Sequence, residues 1–220
     1  MIIDFKAHIM PGMDKTCKSR IDTIRRLMAA RDAGVDLMVA APVYDPDECS
    51  VDEFLDRRRL SEDILGSLMN DEMPEVLPAA MVKFSEKLLD TADLEKLCFG
   101  EKCFLLNLKD VEWSETVEKV LRHLSEELAM KVILADIGES VLENSATLQQ
   151  LGVHIILDLA EVHHKKQIRM YLPLIANGTV CAIGSDWGSD APYRFLHKTI
   201  RRMDEAFDTV MAASAHLLGR

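Results

Sequence analysis

Short runs of β-branched and apolar residues alternate with longer helical patterns, and this alternation constrains the fold more than any other feature of the chain. The runs are Ile2–Ile9, Leu37–Ala41, Glu75–Phe84, Phe104–Leu108, Val132–Ala135, Val153–Leu157 and Thr179–Gly184. Between the first two, the spacing predicts a helix from Ser19 to Gly34, with Ile21, Ile24, Leu27 and Met28 as its packing stripe. A densely charged amphipathic helix is expected over Val51–Leu68, and shorter helical pieces over Ser85–Asp90 and Ala92–Leu97. Ser114 reads as the N-cap of a helix over Glu115–Leu128. Further helices are expected near Val141–Leu151, over Ala160–Ala176, and twice more before the C-terminus. Repeated strand–helix units imply parallel strands, because a parallel connection needs a crossover long enough to hold a helix. About seven such units in 220 residues predict one domain over residues 1–220, a distorted (βα)7 barrel with its chemistry at the C-terminal ends of the strands.

Composition narrows the partners. The chain carries 26 Lys and Arg against 37 Asp and Glu, a formal charge of −11, which repels a phosphate backbone; aromatic residues at 5% leave few platforms for stacking bases. No nucleic-acid partner is expected. The five cysteines are scattered, without a CxxC pair, as reduced thiols would be. The opening MIIDFKAHIM lacks the basic start of a leader, and no apolar run approaches about 18 residues, so a cytoplasmic protein without membrane insertion is expected. Arg57, Arg58 and Arg59 stand among acids and read as a self-neutralised helix face, and the adjacent His163 and His164 as surface residues.

Polar residues collect at the expected strand ends. Lys6 and His8 follow the first strand, with Asp14 and Lys15 in its loop; Asp136 follows the fifth, Asp158 the sixth, and Ser185, Asp186 and Trp187 the seventh.

These positions also carry a resemblance. The segment Asp4-Phe5-Lys6-Ala7-His8-Ile9-Met10-Pro11-Gly12-Met13-Asp14 resembles the Asp-x-His-x-His-Ile-x-Pro-Gly-x-Asp opening of the polymerase-and-histidinol-phosphatase (PHP) family. Within that family it is most similar to the bacterial manganese-dependent protein-tyrosine phosphatases of capsule and exopolysaccharide loci. Ala40-Ala41-Pro42-Val43-Tyr44, Ala79-Ala80-Met81, Ala135-Asp136-Ile137-Gly138-Glu139 and Gly184-Ser185-Asp186-Trp187-Gly188 follow in the family's order. The resemblance implies a PHP-type barrel, a metal-dependent hydrolase by descent, whose substrates would be phosphomonoesters, phosphotyrosine first.

It also implies that most metal ligands are gone. Carried across, the first His of the opening motif is Lys6, the second is kept as His8, and the loop carboxylate is Lys15. The His after the second strand is Val43, the bridging Glu is Met81, the fourth-motif His is Asp136, and the Arg that would face phosphate falls on Glu139. The last motif keeps Asp186 but has Gly188 for its His. Val43 and Met81 offer no hard donor, and Lys6 and Lys15 bring positive charge where a dication would sit.

Three readings stay open at this stage. In the first, no cofactor is bound and Lys6 lies as counter-ion among Asp4, Asp136, Asp158 and Asp186, in a protein that acts by binding or regulation. In the second, catalysis persists, with His8 and Asp186 as base and orienter and Lys6 offsetting charge, or with one weak Mn, Zn or Fe ion on His8, Asp136 and Asp186. In the third, Lys6, Lys15, Asp136, Asp158 and Asp186 bind a small anionic ligand or a phosphoprotein without turnover. A homo-oligomer is left open.

Overall fold

The computed structural model describes residues 1–159, 165–185, 193 and 196–220. Nine strand segments alternate with helices: β1 (Ile3–Ala7), α1 (Arg20–Asp32), β2 (Leu37–Ala40), β3 (Val43–Tyr44), α2 (Val51–Gly66), β4 (Glu75–Pro78), β5 (Met81–Lys83), β6 (Cys103–Asn107) and α3 (Glu115–Arg122). They continue as β7 (Lys131–Ala135), α4 (Glu139–Glu143), α5 (Ser145–Gln150), β8 (His154–Asp158), α6 (Lys165–Ala176), β9 (Val180–Gly184), α7 (Leu196–Met203) and α8 (Glu205–Leu217). Every ladder is parallel.

The segments form two hydrogen-bonded sheets, β1-β2-β4 and β3-β5-β6-β7-β8-β9, which run into one another. β2 passes into β3 through Ala41–Pro42, and β4 into β5 through Ala79–Ala80. Ala41 N donates to Ala7 O at 3.0 Å, Ala79 N to Ala40 O at 2.8 Å and Met81 N to Pro42 O at 3.0 Å, so pairing continues across both breaks. Pro42 has no N–H to give, which is one reason the second strand breaks there. Joined in this way, the segments make seven strands in sequential order, the βα arrangement read from the sequence.

The first and last strands lie side by side without a ladder between them among the described residues. Side chains close this seam. Ser185 N, just past β9, donates to Asp4 Oδ1 at 2.9 Å, and Lys6 lies over Gly184. Helix α8 packs across the outside: Ile3 N of β1 contacts Met211 Sδ at 3.4 Å, and Ser214 Oγ donates to Cys181 O of β9 at 2.8 Å.

Helix starts follow the capping signals. Ser19 with Asp22 and Ser50 with Glu53 form capping boxes on α1 and α2, and Ser114 caps α3. Val117, Val120, Leu121 and Leu124 are all buried, as their spacing predicts. On α1 the expected stripe is corrected. Thr23, Leu27 and Ala30 face the core, while Ile21 is 67% exposed and Met28 41%. The Thr23 hydroxyl donates to Ile9 O at 3.2 Å, so a hydrogen bond to the segment after β1 joins Leu27 and Ala30 in seating the helix. The helix expected near Val141–Leu151 is two short ones, with Asn144 between them. Arg58 pairs with Glu62 at 2.8 Å and Arg59 with Asp56 at 3.6 Å, the charged face expected of α2. The five cysteines are free, and no helix among the described residues is long and apolar enough to cross a membrane.

Candidate functional site

The C-terminal ends of β1, β6, β7, β8 and β9 converge on Lys6. Alternation along β1 puts Asp4, Lys6 and His8 on one face of the strand. Lys6 is 1% exposed, its stem lying against Gly184 and its Nζ 2.5 Å from Asp136 Oδ1 and 3.0 Å from Asp158 Oδ2. Asp136 takes a φ of 53° at the end of β7, a left-handed conformation that aspartate tolerates better than most residues. Its second oxygen accepts from Asn107 Nδ2 of β6 at 2.5 Å. The same amide nitrogen lies 3.4 Å from Met81 Sδ. An ammonium thus joins two carboxylates from neighbouring strands, and an amide steadies one of them.

Asp4 has its own donors. The Lys6 and Ser185 backbone N–H groups reach its Oδ1 at 3.1 and 2.9 Å, and the Ser185 hydroxyl and Tyr193 OH both donate to its Oδ2, the latter at 2.6 Å. Burial pushes the Asp4 carboxyl above its ordinary value of 3.8, against the pull of these hydrogen bonds. Burial beside Asp4 also pushes the Tyr193 phenol well above its usual range, so it stays protonated as a donor. A carboxyl raised in the folded state contributes stability that is complete below its unfolded value and is lost as pH rises through its folded value. The stability of the wild type relative to Asp4→Asn will therefore fall in urea melts as pH rises above the ordinary carboxyl value of 3.8. A difference that grows with pH would contradict this assignment.

His8 turns to the other side of its loop. Its Nδ1 is 3.1 Å from Asp14 Oδ1, and Asp14 Oδ2 accepts from Met10 N at 2.7 Å. Arg26 Nη1 donates to His8 O at 2.9 Å, fixing the loop to α1. Lys15 is exposed in the same loop and joins no ion pair among the described residues. Asp186, together with Trp187, Gly188, His163 and His164, lies outside the described residues.

Of the residues named from the sequence, Lys6, Asp136 and Asp158 meet in one cluster, whereas His8 and Lys15 do not join it. Asn107, Gly184 and Tyr193 were missed. Asn107 ends a strand as the others do and could have been found on that ground. Gly184 and Tyr193 carry no sequence signal that separates them from structural residues.

The donor set does not suit a metal cluster. Among the described residues, no group of three or more His, Cys, Asp or Glu is arranged to hold an ion. Val43 is 47% exposed with no donor, and the thioether of Met81 is buried against the Asn107 amide. Both carboxylates at the strand ends already bind a cation. At an effective dielectric of about 20, a dication about 4 Å from an ammonium is repelled by on the order of 8 kcal/mol.

No protein-family profile matches the chain, and no curated protein does. A solved structure does, from work on YwqE of Bacillus subtilis and CpsB of Streptococcus pneumoniae, described as unique metal-dependent tyrosine phosphatases. It superposes with a TM-score of 0.71 at 17% identity, over 99% of this chain and 94% of the other. The chain has the fold of these tyrosine phosphatases. That likeness spans nearly the whole chain. A muconate cycloisomerase from Pseudomonas fluorescens, 12% identical, covers 98% of this chain and 50% of its own with a TM-score of 0.30, too low to support any comparison. The Lys6 cluster stands at the C-terminal ends of the parallel strands.

Proposed function

We propose that this protein uses the tyrosine-phosphatase fold without metal-dependent hydrolysis, and acts by binding. One observation carries the reading: the Lys6 ammonium is seated on Asp136 and Asp158, the strand-end carboxylates that a catalytic cation would have to recruit. Hydrolysis of a phosphomonoester by this architecture needs ions that polarise the phosphoryl oxygens and generate a hydroxide. Lys6 supplies charge but no exchangeable site for water.

The ligand we propose is a small anion or a phosphorylated protein segment approaching the rim, where Lys15 and Lys109 stand exposed after β1 and β6. The sequence resemblance to exopolysaccharide-locus phosphatases supports, as the corresponding biological proposal, a regulatory role in such a system, with the protein in the cytoplasm.

Purified protein with Mn²⁺ will not cleave p-nitrophenyl phosphate above the rate of buffer with Mn²⁺. Turnover that is lost on His8→Ala would establish the competing reading, a residual metal-dependent phosphoesterase.

A further inference from the structure

Lys6 is buried and held on two carboxylates. Its stem leaves β1 and crosses β9 at Gly184, where the absence of a side chain provides the passage: a Cβ there would lie 2.8 Å from Lys6 Cβ and 3.1 Å from Ile156 Cγ2. Beyond that passage the Nζ meets one oxygen from the end of β7 and one from the end of β8, at 2.5 and 3.0 Å. Asn107 fixes the rotamer of Asp136 from the opposite side. Divalent cations take carboxylate oxygens at about 2.0–2.6 Å. The two carboxylates therefore converge on a point that an ion could occupy, were the ammonium absent, after shifts of about 1 Å or less.

We infer that Lys6 is a tethered cation which excludes divalent ions from the barrel mouth, and that removing its side chain uncovers a Mn²⁺ site on Asp136 and Asp158, completed by water. The inference rests on the reading that the wild type takes no metal, and the experiment separates the two. Melting temperatures are measured in EDTA and in Mn²⁺ for the wild type, Lys6→Ala, Lys6→Gln, and the double variant Lys6→Ala/Asp158→Asn. The wild type will melt at the same temperature in both. Lys6→Ala will melt higher in Mn²⁺, by about 3–10 °C at about 10–100 times the dissociation constant, and the double variant will lose most of that rise.

A wild-type rise in Mn²⁺ would overturn the reading of the function. A wild type without a rise, with neither Lys6→Ala nor Lys6→Gln responding, would overturn the inference alone. Should Lys6→Ala fail to fold in EDTA, refolding with Mn²⁺ supports the inference. Failure of both single variants to fold under either condition counts against it. A rise that persists in the double variant also overturns it, since the ion would then sit elsewhere.

Discussion

Lys6→Ala will lower the stability of the folded chain by about 3 kcal/mol, and by at most about 5. The loss comes from what remains rather than from what is removed. Asp136 and Asp158 would lose the ammonium that they share, and the side chain of Asp158 is only 9% exposed. The side chain of Asp136 is 20% exposed, so solvent screens part of the repulsion and places the effect at the lower end of the range. In a chain of 220 residues this corresponds to a fall in melting temperature of roughly 6–12 °C. Lys6→Met keeps most of the stem and removes the charge, so it separates packing from electrostatics. It will be destabilised nearly as much as the alanine variant. If Lys6→Met is as stable as the wild type while Lys6→Ala is not, Lys6 acts by filling space and the electrostatic account is wrong.

Gly184→Ala will cost about 1–3 kcal/mol by overpacking the seam between β1 and β9. The added methyl meets Lys6 Cβ at 2.8 Å, and a Cβ cannot swing away as the end of a long side chain can. One consequence is specific. In a Lys6→Ala background the clash persists, because alanine keeps the Cβ, whereas in a Lys6→Gly background it is relieved. A double-mutant cycle in urea should show coupling for the Gly184→Ala/Lys6→Gly pair and little for Gly184→Ala/Lys6→Ala. Absence of coupling in both cycles would place the cost of Gly184→Ala elsewhere, against Ile156.

These two residues also mark what a sequence can disclose. Alternating strand and helix patterns were enough for the seven-strand order, since each parallel ladder requires the crossover that the helical spacing supplies. The strand ends were therefore placed to within a residue or two, and with them Lys6, Asp136 and Asp158. Partner choice was not legible. Sequence reading grouped Asp4 with the carboxylates around Lys6, yet Asp4 is satisfied by Ser185 and Tyr193, contacts between positions more than 180 residues apart. The sequence joins His8 to Asp136 and Asp186 as a possible metal set; the structure places its Nδ1 on Asp14 six residues on, a loop contact that no periodicity reports, while Asp186 lies outside the described residues.

The exposed Ile21 and Met28 show a different limit. Counting apolar residues selects Ile21 and Met28 along with Leu27, while the face that α1 buries is made of Thr23, Leu27 and Ala30. In the same way, Glu75–Phe84 reads as one strand because the pattern is continuous. The structure divides it at Ala79–Ala80, where pairing passes from one sheet to the other. Gly184 is the least legible. A glycine near a strand end reads as a turn, and only the path of Lys6 reveals that a close approach requires it.

The occupancy of the strand-end cluster is most directly tested by growing crystals in Mn²⁺ and collecting anomalous diffraction at the manganese edge. The account predicts no anomalous peak within coordination distance of Asp136, Asp158 or His8, with the Lys6 ammonium still between the two carboxylates. A peak bound by His8 and Asp186, with Lys6 turned out to solvent, would contradict it.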